Sequence, residues 1–265
     1  MKKTVFCLIF IAALLTACGK AEQVPGEEAG PPVSVTAEMV LPTPDLTPSP
    51  EPTPSPKPEH SSLYIEGLSV DDVITYFNEV CLDAEFVNSG DPSRLQKWTV
   101  PVTYIINGEP TQEDMQVLTG FVDWLNTIEG FPGMLGTDDP LRANLRINFC
   151  SQTELTDIMG ENYVGMDGAV TFWYDNDEIY SAVICYREDI DQTVRNSVIL
   201  EEIYNGLGPV QDTWLREDSL IYAGYSTPQS LTEADELIMK LLYHPDMICG
   251  MNKVQCEEII RSLYY

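Results

Sequence analysis

Positive charge is scarce in this chain, and histidine is scarcer still. Its 265 residues hold 14 Lys plus Arg against 42 Asp plus Glu, with only two His. A formal charge of −28 repels phosphate backbones, which argues against nucleic-acid binding. His60 and His244 cannot supply a His-rich metal site, and neither stands where a Ser-His-Asp triad needs it. No Cys-x-x-Cys pair occurs, so neither a structural zinc site nor a thioredoxin-like redox motif is expected. Glycine-rich phosphate loops are missing too. Apolar residues, by contrast, make up 44% of the chain, which excludes a wholly disordered protein.

The first residues read as an address. Lys2 and Lys3 precede an apolar run over 4 to 15, followed by Leu15-Thr16-Ala17-Cys18. The run is about 12 residues, short of the ~20 that a membrane-spanning helix requires. A charged start, a short apolar core and small residues form a secretory signal. The Leu-Thr-Ala-Cys ending resembles the bacterial lipoprotein signal. That resemblance implies removal of residues 1–17 and a diacylated thiol at Cys18. It also implies a chain held by lipid on the outer side of the cytoplasmic membrane, or at the outer membrane of a Gram-negative host. Gly19 carries no aspartate-type retention signal. A dual acyl anchor is durable, because each buried methylene contributes about 0.8 kcal/mol.

Residues 18–60 read as a tether. Residues 19 to 60 hold 11 of the 19 prolines, many alternating, as in Pro48-Ser49-Pro50-Glu51-Pro52. Such spacing fixes φ and removes amide donors, so neither helix nor sheet can form. Extended polyproline rises ~3.1 Å per residue, giving a reach of up to ~130 Å. Residues 61–265 then form a single globular domain, long enough to bury roughly 70% of its unfolded surface.

Within that domain, helical spacing is expected over 68 to 85, with Val73, Ile74, Phe77 and Val80 on one face. Residues 98 to 106 alternate as a strand, with Pro101 marking an edge or a beginning. Thr111 opens a capping box for a helix running to about residue 129. A second strand covers 141 to 150, with Leu145, Ile147 and Phe149 on one face. Residues 169 to 186 form a hairpin about Asp175-Asn176-Asp177-Glu178, which lacks the ligand spacing of a calcium loop. Three helices follow, over 195–207, 231–243 and 253–264. Sheet first and helices last is an α+β (α/β) domain.

The most informative stretch is Glu201-Glu202-Ile203-Tyr204-Asn205-Gly206-Leu207-Gly208-Pro209-Val210-Gln211, followed by Asp218-Ser219-Leu220-Ile221-Tyr222. This layout resembles the catalytic half of metzincin (zincin) metalloproteases, which run His-Glu-x-x-His-x-x-Gly-x-x-His and then a Met-containing turn. Their ligand positions fall on Glu201, Asn205 and Gln211. The general-base glutamate falls on Glu202, the glycine on Gly208 and the turn methionine on Ile221. The glutamate and glycine match; the three histidines and the methionine do not. An amide oxygen is a poor substitute for imidazole on zinc. The resemblance therefore implies a zincin-like architecture whose zinc chemistry is lost, with no cofactor. Glu201, Asn205, Gly208, Gln211, Ile221 and Tyr222 are the candidates for lining its cleft, with Tyr204 and Trp214 nearby. The chain also resembles a bacterial family of exported proteins whose domain has no assigned function. Lys97-Trp98-Thr99-Val100-Pro101-Val102, the Leu200-Glu201-Glu202 helix and residues 235 to 245 carry that likeness.

Five cysteines belong to the domain: Cys81, Cys150, Cys185, Cys249 and Cys256. Cys249 and Cys256 are close enough in sequence to pair across a turn. The leading functional expectation is a surface-anchored, non-catalytic domain that binds an envelope or extracellular protein or peptide through its old cleft. One alternative is a hydrolase with an altered site, in which Glu201, Glu202 and Asp212 hold a hard cation such as calcium. Another is a purely structural envelope protein.

Overall fold

The structure is a computed structural model, and it describes residues 3–6, 61–83 and 94–265. Cys18 and the proline-rich stretch lie outside the described residues. The elements in chain order are β1 Lys3–Phe6, α1 Val70–Leu82, β2 Lys97–Trp98, β3 Val102–Asn107, α2 Gln112–Leu125, β4 Met134–Gly136, β5 Leu145–Cys150, α3 Gln152–Met159, β6 Gly168–Asp175, β7 Glu178–Arg187, α4 Gln192–Gly206, α5 Glu233–Leu242 and α6 Lys253–Tyr264.

Local chemistry accounts for most boundaries. Thr111 accepts from the amide of Asp114, whose carboxylate reaches back to the Thr111 amide, so the expected capping box opens α2. The same reciprocal arrangement opens α1 at Ser69, α3 at Ser151, α5 at Thr232 and α6 at Asn252. The hairpin of β6 and β7 turns on Asn176 and Asp177, with φ of 51° and 65°. Two successive left-handed residues suit the right-handed twist of the flanking strands.

The strands form a mixed sheet in the order β1-β6-β7-β5-β3-β4, with β2 also pairing β7. β3, β4, β5 and β7 run parallel, whereas β6 is antiparallel to β7. The strand expected over 98 to 106 is in fact two. Lys97 and Trp98 pair with Glu178 and Ile179 of β7, whereas β3 lies between β4 and β5. Pro101 has no amide to donate to a ladder, so the chain changes partners there. β4 and α3 were not expected: β4 has only three residues, and α3 buries only Leu155 and Met159.

Alternation along the strands separates two apolar faces. Leu145, Ile147 and Phe149 join Val170, Phe172, Ile184 and Tyr186 in the main core. Cys150, Ala169 and Cys185 point the other way, into a small cluster with Leu155, Met159 and Tyr163. α2 and α4 pack together, and α4 lies on β6 and β7. α1 packs against α5 and α6. All five cysteines of the domain are free thiols, so Cys249 and Cys256 are not paired.

Candidate functional site

Helix α4 is buried along most of its length although much of it is polar. Arg195, Asn196, Ser197, Glu202 and Asn205 all sit inside. Buried polar groups require partners, so their contacts define what the helix does. In its first half the partners are complete. Arg195 donates to Asp114 of α2 at 2.8 Å and to the carbonyl of Glu188 at 2.9 Å. Gln192 donates to the same carboxylate at 2.6 Å. Burial would raise the Asp114 carboxyl, but these bonds and those from Thr111 hold it below the ordinary range. This half is a structural joint between α2 and α4.

In the second half the partners are incomplete. Glu202 is 1% exposed. It lies beneath Gly168 of β6, where an added Cβ would come within 3.1 Å of Glu202 Oε1 and would overlap Val198. Oε2 of Glu202 accepts no hydrogen bond, and neither does Oδ1 of the fully buried Asn205. The Asn205 amide group donates to Asp212 at 3.4 Å. Burial, and then the charge of Asp212, push the Glu202 carboxyl well above its ordinary range. The partly exposed Glu201 moves the same way, through burial and then Asp212, Glu202 and Asp167.

Beyond the helix, the chain is held by long-range partners. Gly208 has φ 130°, and a Cβ there would lie 2.8 Å from both the Gln96 carbonyl and Leu242. Only glycine fits that approach. Trp98 Nε1 donates to the Gly206 carbonyl at 2.9 Å, and Tyr243 Oη to that of Leu207 at 2.7 Å. These two side chains satisfy carbonyls that the end of a helix leaves free. Gln211 is half-buried and its amide reaches Val80 O at 3.2 Å. Thr213 then bridges to Ile221 and Ala223 through backbone bonds of 2.9 Å. Ile221 is fully buried, and Tyr222 is half-buried with Trp214 edge-on at 5.7 Å.

Of the expected residues, then, Glu202, Asn205 and Ile221 are interior, Gly208 is a packing glycine, and Glu201, Gln211 and Tyr222 reach partial exposure. Asp212 belongs with Glu202 and Asn205. Several partners gave no signal in the sequence: Gly168 beneath α4, and Glu79 of α1, which accepts from Thr213 and, at 3.2 Å, from the Trp214 amide. They are separated from the motif by tens to more than a hundred residues.

The zinc that a zincin-like layout implies does not fit these residues. Glu202 packs near Gly168 of β6, and the amide and carboxylate oxygens of Asn205, Gln211 and Glu201 stand where zinc would take imidazole nitrogens. Among the described residues, no three His, Cys, Asp or Glu side chains gather as metal ligands would.

Residues 71–262 match a family described as "Protein of unknown function (DUF2927)". The chain belongs to that family. DUF2927 thus spans α1 to α6 and includes every residue of the candidate site. No curated protein matches the chain.

Proposed function

We propose that this DUF2927 member is an exported lipoprotein, anchored through Cys18, whose zincin-like domain is a binding module without catalysis. Its partner is an envelope or extracellular protein or peptide. The observation that carries the reading is the sealing of Glu202 under Gly168. A general base must come within hydrogen-bond reach of a substrate or its attacking water. A carboxyl at 1% exposure, packed against a strand, supports a place in the interior over a place beside substrate. The zincin-like part of the reading is supported by the parallel sheet with its antiparallel β6, and by α4 carrying the glutamate onto β6 and β7. Binding is supported by the segment after α4, which is pinned by its backbone yet turns Trp214 and Tyr225 to solvent.

Incubation with zinc and a broad peptide library tests the catalytic question. No cleavage is expected; chelator-sensitive cleavage abolished by Glu202→Gln would overturn the reading. For the anchor, Cys18→Ser is expected to abolish incorporation of labelled palmitate and release the protein from membranes. Retention of label would refute lipidation at that residue.

A further inference from the structure

Three large side chains near α4 stand in water. Trp214 is 66% exposed, Leu215 55% and Tyr225 66%. The segment that bears them is hydrogen-bonded to the rest of the domain at several points. Its amides and hydroxyls are bonded to Glu79 of α1, to Asp235 of α5 through Leu220 N at 3.0 Å, and across itself from Thr213 to Ile221 and Ala223. Gln229 ties its far end to the Thr193 carbonyl of α4 at 3.0 Å. Exposed aromatics are the residues on which interfaces concentrate their energy.

Charge selects the occupant. Residues 211–230 put Glu217 and Asp218 at the surface against one cation, Arg216, while Asp212 is buried. That cation is already engaged, 2.9 Å from Asp218 and stacked over the Tyr76 ring. The domain around it carries 35 acidic and 10 basic residues. A second copy of the chain, a phosphate polymer or an anionic lipid surface would each meet like charge. A basic chain meets carboxylates and the negative faces of aromatic rings together.

We propose that segment 214–225 docks a basic stretch of a partner protein, with lysine or arginine side chains on Trp214 and Tyr225 and the Glu217 carboxylate as their counter-charge. This rests on the reading of the domain as a binding module and names the chemistry of its partner.

The test is titration of the full chain with a synthetic peptide of alternating arginine and leucine, and with its glutamate counterpart. Calorimetry and tryptophan fluorescence report binding at about 150 mM salt, where long-range charge is screened beyond ~8 Å. The basic peptide is expected to bind and the acidic one not to. Trp214→Ala should weaken binding at least about tenfold, and Glu217→Lys should also weaken it. Leu141→Ala, a control at a 94% exposed site, should change nothing. Equal affinity for the Trp214→Ala and wild-type chains, or equal losses in the control, would overturn the proposal and leave diffuse charge as the cause. So would failure of the basic peptide to bind. Thermal melts establish that each variant is folded, and Glu217→Lys carries the test should Trp214→Ala fail to fold. Hydrolysis of the peptide, read by mass spectrometry on the same samples, would instead overturn the non-catalytic reading.

Discussion

Asp235 shows how much one side chain organises around the site. Its carboxylate accepts from Tyr76 Oη at 2.6 Å, Ser219 Oγ at 2.7 Å, the Leu220 amide at 3.0 Å and both donors of Thr232 at 2.9 Å. Tyr76 remains a donor because burial, and then Asp235, hold its phenol far above the ordinary range. One carboxylate thus caps α5, joins it to α1 and fixes the turn at 219–221. Asp235→Ala leaves several buried donors unpaired. It is expected to cost roughly 3–5 kcal/mol, measured by urea denaturation. Glu202 presents the opposite case, an acceptor with no donor. In the unfolded chain it releases its proton near pH ~4.3; in the fold, burial and then Asp212 make it keep the proton to higher pH. That contribution to stability is complete below the unfolded value and is lost as pH rises toward the folded one. Glu202→Gln is always neutral. Its unfolding free energy should therefore exceed that of the wild type increasingly as pH rises above the unfolded value, by at most about 1.4 kcal/mol per pH unit. The infrared C=O band of a protonated carboxyl should persist to higher pH than an ordinary carboxyl allows and be weaker in Glu202→Gln, where Glu201 alone contributes. Parallel melting curves together with no such band would show that Glu202 is ionised.

Among the elements, the two-residue strand β2 does more than its length suggests. Its side chains alternate in direction. Trp98 supplies a donor to the end of α4, and Lys97 Nζ donates to the Leu242 carbonyl at the end of α5 and to Met247 O. A lysine at that end also opposes the negative pole of the helix. Trp98→Phe keeps most of the ring volume but strands the Gly206 carbonyl. A loss of about 1–3 kcal/mol in denaturant unfolding is expected. Gly168→Ala forces α4 away from β6 where Val198 and Glu202 touch it. Amide exchange should quicken selectively in α4, with little change in α6; a uniform or absent change would refute this contact as the seat of α4. β1 pairs along the outer edge of β6. Because β1 lies within the expected leader, removal of residues 1–17 would leave that edge open.

For the molecule as a whole, charge is the dominant property. With 35 acids and 10 bases in residues 61–265, the folded domain repels itself, and residues 18–60 add only 7 acids and 2 bases. Added salt screens that repulsion. The melting temperature is expected to rise between low and about 0.5 M sodium chloride, and a flat or falling response would count against self-repulsion. Among the described residues no helix is long and apolar enough to cross a membrane. The membrane contact proposed for this chain, through Cys18, rests instead on the Leu15-Thr16-Ala17-Cys18 ending.

The sequence by itself determined what short-range physics controls. Thr111 and Asp114 announce the start of α2, the hairpin turn follows from Asn176-Asp177, and the alternation of Leu145, Ile147 and Phe149 assigns β5 its buried face. Each of these depends on neighbours within a few residues. The missing histidines at 201, 205 and 211 were equally plain, because a residue type cannot be altered by folding. Only the tertiary structure decided where Pro101 divides one expected strand into two, since that depends on β7 offering a second partner. Only it decided that Glu202 is sealed while Trp214 is exposed. Both lie in one polar stretch, and the difference comes from Gly168 leaving room beneath α4 and from Glu79 holding the Trp214 backbone at the surface. Such contacts join residues far apart in the chain, where no periodicity or spacing carries a signal.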